Sequence, residues 1–145
     1  MSDMRALNPD ALRPPFGAYS HGTEIPAGMR LIRTSGQLGI GPDDSIPEST
    51  FEQARLCFEN IRAILAEGGM GPADVAHISA YVTAREYMTD YMRARYAFIG
   101  QPARLPSSTL VVVTGFTRPE FKVEVEVWAA KADQVSTLSP NGSPA

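Results

Sequence analysis

Apolar and polar side chains alternate strictly across residues 121–130, with Val123, Val125 and Val127 on one face and Lys122, Glu124 and Glu126 on the other. The pattern predicts a strand whose valine face is covered by helices. Its carboxylate face is too charged for a packed core and is expected to meet water, a partner subunit or a ligand cleft. Residues 107–113 form a second β-branched apolar run, and the turn at 114–119 makes the two runs successive strands. Residues 16–25 and 29–36 read as two more strands, joined at Pro26-Ala27-Gly28 into an antiparallel hairpin. Residues 37–47, with Gly39, Gly41, Pro42 and two aspartates, predict a loop. Residues 75–83 alternate as well, with Ala76, Ile78, Ala80 and Val82 facing one way and His77, Ser79 and Tyr81 the other.

Helical spacing replaces alternation twice. Ser49-Thr50-Phe51-Glu52 has capping-box spacing, with Ser49 free to cap and Glu52 to reach back. Behind it Ala54, Cys57, Phe58, Ile61, Ile64 and Leu65 recur at steps of three and four until Gly68-Gly69 end the segment. Residues 85–100 predict a second helix with Met88, Tyr91, Met92, Tyr96 and Ile99 as its inner face. The resulting order, ββαβαββ, is an α+β fold: a mixed sheet with two helices on one face. The other face, bearing His77, Ser79, Tyr81, Glu124 and Glu126, is left half polar, and a sheet exposed in this way often closes by oligomerising. Residues 1–13 read as an N-terminal arm, 14–132 as a single domain and 133–145 as a patternless, disordered tail.

Composition narrows the partners. A chain of 145 residues suits one domain with one core. Thirteen basic against 16 acidic residues leave a net charge of −3, and no run concentrates the basic ones, which argues against nucleic-acid binding. The longest apolar run, Leu110 to Val113, is far below the ~20 residues that span a bilayer, and no hydrophobic signal core follows Met1. A cytoplasmic protein without a membrane partner is therefore expected. The single cysteine, Cys57, allows no internal disulfide and reads as core packing rather than a nucleophile. His21 and His77 stand far apart without metal-ligand spacing, so no metal site is expected. His77 reads as a hydrogen-bonded sheet histidine.

Four stretches, in their order and spacing, resemble the YjgF/RidA (reactive intermediate deaminase) family over nearly all of residues 14–131. They are Gly17-Ala18-Tyr19-Ser20 for the family's G-P-Y-S, Thr34-Ser35-Gly36-Gln37 for its S-G-Q, the helix ending in Gly68-Gly69-Met70, and Val123-Glu124-Val125-Glu126 for its V-E-I-E strand. The resemblance implies a chorismate-mutase-like fold assembled as a homotrimer, with clefts between subunits. It also implies cofactor-free hydrolysis of enamines and imines, such as 2-aminoacrylate, to the 2-keto acid and ammonia. An iminium carbon is already electrophilic, so such a protein must hold the substrate, place a water and manage protons. Carried over by position, Tyr19 and the Ser35-Gly36 turn line the cleft, and Glu124 orients or deprotonates the water. Backbone groups near Thr109 and Leu110 complete the site.

One departure stands out. The family's deaminases start the strand after a proline with an arginine, in a P-x-R-[ST] setting, whose fork grips the substrate carboxylate. Here Pro106-Ser107-Ser108-Thr109 puts Ser108 at that position. Arg104, displaced by an insertion, and Arg93, on the second helix, are the candidate replacement cations; the plain reading of Arg93 is a solvated helix arginine. Two functions stay open. One is a hydrolase of an enamine, imine or related small metabolite, including one with no carboxylate beside the reacting carbon. The other is a non-catalytic trimer that binds a small metabolite or a protein. Ribonuclease activity, attached to some family members, is the weakest reading for an acidic chain with no basic patch.

Overall fold

The alternating C-terminal run becomes the centre of the sheet. In the computed structural model, which describes residues 3–133, the strands are β1 (Arg5–Leu7), β2 (Gly22–Glu24), β3 (Met29–Arg33), β4 (Gln37–Leu38), β5 (Val75–Val82), β6 (Ser107–Val112) and β7 (Val123–Ala132). The helices are α1 (Thr50–Glu67) and α2 (Met88–Ile99). β7 pairs antiparallel with β5 on one side and with β3 and β4 on the other, and β6 closes the edge parallel to β5. A parallel pair needs a crossover, and α2 supplies it.

Both helices cover the valine face. Ser49 caps α1 by accepting from the Glu52 amide at 3.2 Å. Glu52 does not reach back, because Arg55 engages its carboxylate at 2.8 Å. At the far end Gly69 takes φ +76°, a left-handed turn that a side chain would strain. The α1 stripe Ala54, Cys57, Phe58, Ile61 and Leu65 meets Tyr91, Ala94 and Phe98 of α2 over Ile78, Ala80, Val82, Val123, Val125 and Val127. Cys57 is fully buried there, and burial pushes its thiol far above the usual range, so it packs rather than reacts. Among the described residues no helix is long and apolar enough to cross a membrane.

Several expectations change. Residues 16–25 and 29–36 do not form a hairpin: β2 pairs with β1, and β3 pairs with β7. Pairing with β7 lets Ile32 join the core under the helices, while the β1–β2 ribbon follows a chain that lays Met4 on Ala76 and Ala130. The arm thus contributes a strand. Two residues of the expected loop, Gln37 and Leu38, become β4 opposite Val125 and Glu124. The inner face of α2 also differs, because the helix proper begins at Met88 after a 3-10 turn at Arg85–Tyr87. Tyr96 is 42% exposed, and Arg95 beside it only 2%. The expected tail from residue 134 onward lies outside the described residues.

Candidate functional site

The site is built where β6 begins. Residues 16–20 run alongside it, held by the Ser20 amide on the Pro106 carbonyl at 2.9 Å and the Ser20 hydroxyl on the Leu105 carbonyl at 2.7 Å. Ser108 and Leu110 stand opposite Ile78 and Ala80, so both project to the helix side of the sheet. Met92 and Arg95 of α2 meet them there. Together with Phe16, Gly17 and Tyr19 these side chains enclose a cavity of about 240 Å³.

Arg95 dominates its electrostatics. Its Nη1 donates to Ser108 Oγ at 2.9 Å, while Nε and Nη2 are buried without a partner. The rings of Tyr96, Tyr19 and Tyr91 surround the guanidinium, with centroids 5.3, 5.9 and 5.9 Å from Cζ. Among the described residues no carboxylate lies within ion-pair distance of it. An arginine cannot shed its proton, and a buried charge without a partner is costly. The adjacent Tyr91 hydroxyl is also buried, with no well-aligned hydrogen bond among the described residues. Burial pushes its pKa up to about 12 against the lowering pull of the nearby Arg95 guanidinium, so it stays a neutral phenol.

A second polar group occupies the opposite face. Glu124 stands across from Tyr81 on β5 and packs against Gly36, where a β-carbon would come within 2.6 Å of the carboxyl carbon. Burial first, and then the neighbouring Glu126, raise the pKa of Glu124, moving it towards the range of a general base. Glu126 accepts from the Tyr81 hydroxyl, which raises the Tyr81 pKa. His77 lies between two hydroxyls, Ser107 Oγ at 2.7 Å from Nδ1 and Ser79 Oγ at 3.1 Å from Nε2, and burial lowers its pKa.

One chain therefore gathers Tyr19, Ser108 and Leu110 in the cavity, and Gly36 with Glu124 behind the sheet. β5 separates β6 from β7, so the two groups are about 10 Å apart across the strands as well as on opposite faces. Thr109 faces the Glu124 side, opposite Ser79. Ser35 is exposed, with its carbonyl accepting from the Gln37 amide group at 3.2 Å. Neither proposed replacement cation reaches the cavity. Arg93 pairs with Asp90 at 3.2 Å and lies over the Phe51 ring, and Arg104 donates to the Val75 and Ala73 carbonyls at 3.2 and 3.1 Å. The cation that does reach it, Arg95, has a sequence signal: it follows Tyr91 by four and precedes Phe98 by three, a charge set inside an apolar stripe. Assigning Tyr96 to that stripe hid it.

Residues 10–131 match the family model described as Endoribonuclease L-PSP. The 2-iminobutanoate/2-iminopropanoate deaminase of Escherichia coli K12 is 25% identical over 118 residues, covering 80% of this chain and 89% of that protein. The RutC family protein YjgH of the same organism is 28% identical over 127 residues, covering 86% and 95%. The crystal structure of YyfB from Yersinia pestis, of the conserved Rid protein family, superposes with a TM-score of 0.77 at 22% identity, covering 90% of this chain and 100% of that one. At that identity the structural likeness is one of fold.

Proposed function

The chain belongs to the YjgF/RidA family, and from that premise we propose that it is a cofactor-free hydrolase of a small enamine or imine, acting as a homotrimer. The observation that carries the reading is the cavity in which Tyr19, Ser108 and Leu110 converge with a buried guanidinium. A pocket with apolar walls and a few converging polar groups suits a small polar metabolite. In the reaction water adds to the electrophilic carbon of the imine and the C–N bond then breaks. The water oxygen becomes the carbonyl oxygen, and its two protons leave on ammonia. A base must take one proton from the water and return it to nitrogen, a task that suits a carboxylate whose pKa is raised. In one chain Glu124 lies behind the sheet, so the proposed trimer brings the partner subunit's Glu124 to the cavity. Leu31, Val111 and Trp128, exposed on the same open face, suit cover by another copy.

The test is to generate neutral, basic and acidic imines from amino acids with an oxidase and to follow ammonia release. Acceleration over buffer that Glu124→Gln removes is expected. No acceleration with any imine, or an unchanged rate for Glu124→Gln, overturns the reading. One observation favours the alternative of a non-catalytic binder: among the described residues of a single chain, no carboxylate lines the cavity to act as base. That alternative predicts ligand-induced stabilisation without turnover.

A further inference from the structure

We propose that Arg95 is the carboxylate anchor of this cavity, delivered by helix α2 in place of an arginine on strand β6, and that the ligands are therefore small 2-imino acids and their 2-keto counterparts. The reading of these ligands as substrates rests on the hydrolase function; the anchor itself is a claim about binding. Ser108 stands where the resemblance leads one to expect a guanidinium, and its hydroxyl instead holds one nitrogen of Arg95 at 2.9 Å. That bond uses Nη1. The two nitrogens left over, Nε and Nη2, are buried and without hydrogen-bond partners among the described residues. Their N–H bonds run parallel along one edge of the guanidinium, the edge that matches the two oxygens of a carboxylate.

Charge balance leads to the same ligand. Arg95 is 98% buried, remains charged and has no acidic partner among the described residues. An anion that enters with the ligand supplies the missing countercharge in a setting of low dielectric, where each charge-assisted hydrogen bond is strongest. Tyrosine rings rather than carboxylates surround the guanidinium. Size limits the ligand further. A cavity of about 240 Å³, walled by Phe16, Met92 and Leu110, admits a carboxylate with a short apolar side chain. Arg93 and Arg104 are committed elsewhere, so among the described residues α2 contributes the one cation lining this cavity.

The experiment compares 2-oxobutanoate, a stable keto analogue of the imino acid, with its neutral amide by calorimetric titration of the full chain. The acid is expected to bind roughly 10- to 100-fold more tightly than the amide, as charge-assisted hydrogen bonds imply. Arg95→Met should erase that preference, and adding Ser108→Arg to it should restore the preference from the strand. Ser108→Ala, which keeps the charge but unties it, should narrow the acid-over-amide preference several-fold; this variant decides the matter if Arg95→Met does not fold. Equal binding of acid and amide, equal binding of inorganic phosphate, or a preference that survives Arg95→Met overturns the proposal. Ammonia release is measured on the same samples. An acid preference without turnover upholds the anchor and overturns the hydrolase, whereas turnover without an acid preference does the reverse.

Discussion

At the scale of single residues, this molecule keeps a charge where stability alone would place an apolar group. Replacing even a buried ion pair by well-packed apolar side chains of similar volume is often neutral or stabilising by about 1–4 kcal/mol, and an ion with no countercharge has less attraction to lose. Arg95→Met is therefore expected to raise the urea or thermal midpoint of the unliganded protein while removing its response to small carboxylates. A lowered midpoint would mean that the guanidinium holds the fold together rather than waiting for a ligand. The titratable groups behind the sheet make opposite contributions with pH. The folded pKa of His77 lies below its ordinary value of 6.5 because burial disfavours its charged form. The unfolded chain then binds the extra proton first, so the stability contributed by neutral His77 is present above pH 6.5 and is lost as pH falls through the folded pKa. Glu124, raised above 4.5 by burial and by Glu126, acts the other way: its contribution is present at low pH and lost as pH rises through its folded pKa. Denaturation midpoints measured from pH 7 downward should therefore fall less steeply in His77→Gln than in the parent chain. An identical slope refutes the account of His77.

At the scale of elements, one buried side chain ties three segments together. Gln53, in the first turns of α1, is fully buried; its Nε2 donates to the Pro47 and Glu120 carbonyls at 2.8 and 2.9 Å, and its Oε1 accepts from the Lys122 amide at 2.9 Å. These bonds fix the loop before the helix and the entry into β7, and thereby the start of the strand that carries Glu124. Gln53→Met conserves volume but strands three backbone groups, at a cost on the order of 3 kcal/mol in equilibrium denaturation. Gly36 links β4 to the same carboxylate. Gly36→Ala would drive a methyl group into Glu124, so imine turnover should fall by more than tenfold while the unfolding midpoint moves little. Both helices and strands β5 to β7 could be read from spacing, because apolar periodicity is a local property. The pairing of β2 with β1 could not, because which strands neighbour each other is decided by distant apolar contacts such as Met4 on Ala76.

At the scale of the whole molecule, the open sheet face is the surface to test. Native mass measurement is expected to give a trimer. Trp128, the only tryptophan and 38% exposed in one chain, should shift its emission to the red when the assembly is diluted apart. The proposed site shared between subunits makes a sharper prediction: Arg95→Met and Glu124→Gln, each inactive alone, should recover part of the activity when refolded together into mixed trimers. No recovery would place the anchor and the base within one chain.

The local chemistry of the elements was written in the residue order. Alternating valines set β7, three- and four-residue spacing set α1, and the Tyr19, Ser35-Gly36 and Glu124 stretches sufficed to recognise the family. Tertiary structure alone decided where the charges went. The rotation of α2 about its axis buries Arg95 and exposes Tyr96, a choice that depends on packing against Phe58 and the sheet. The parity of β6 against β5 turns Ser108 towards that guanidinium, and the parity of β7 turns Glu124 away from it. Periodicity tells which residues share a face, and only the packed chain tells which faces meet.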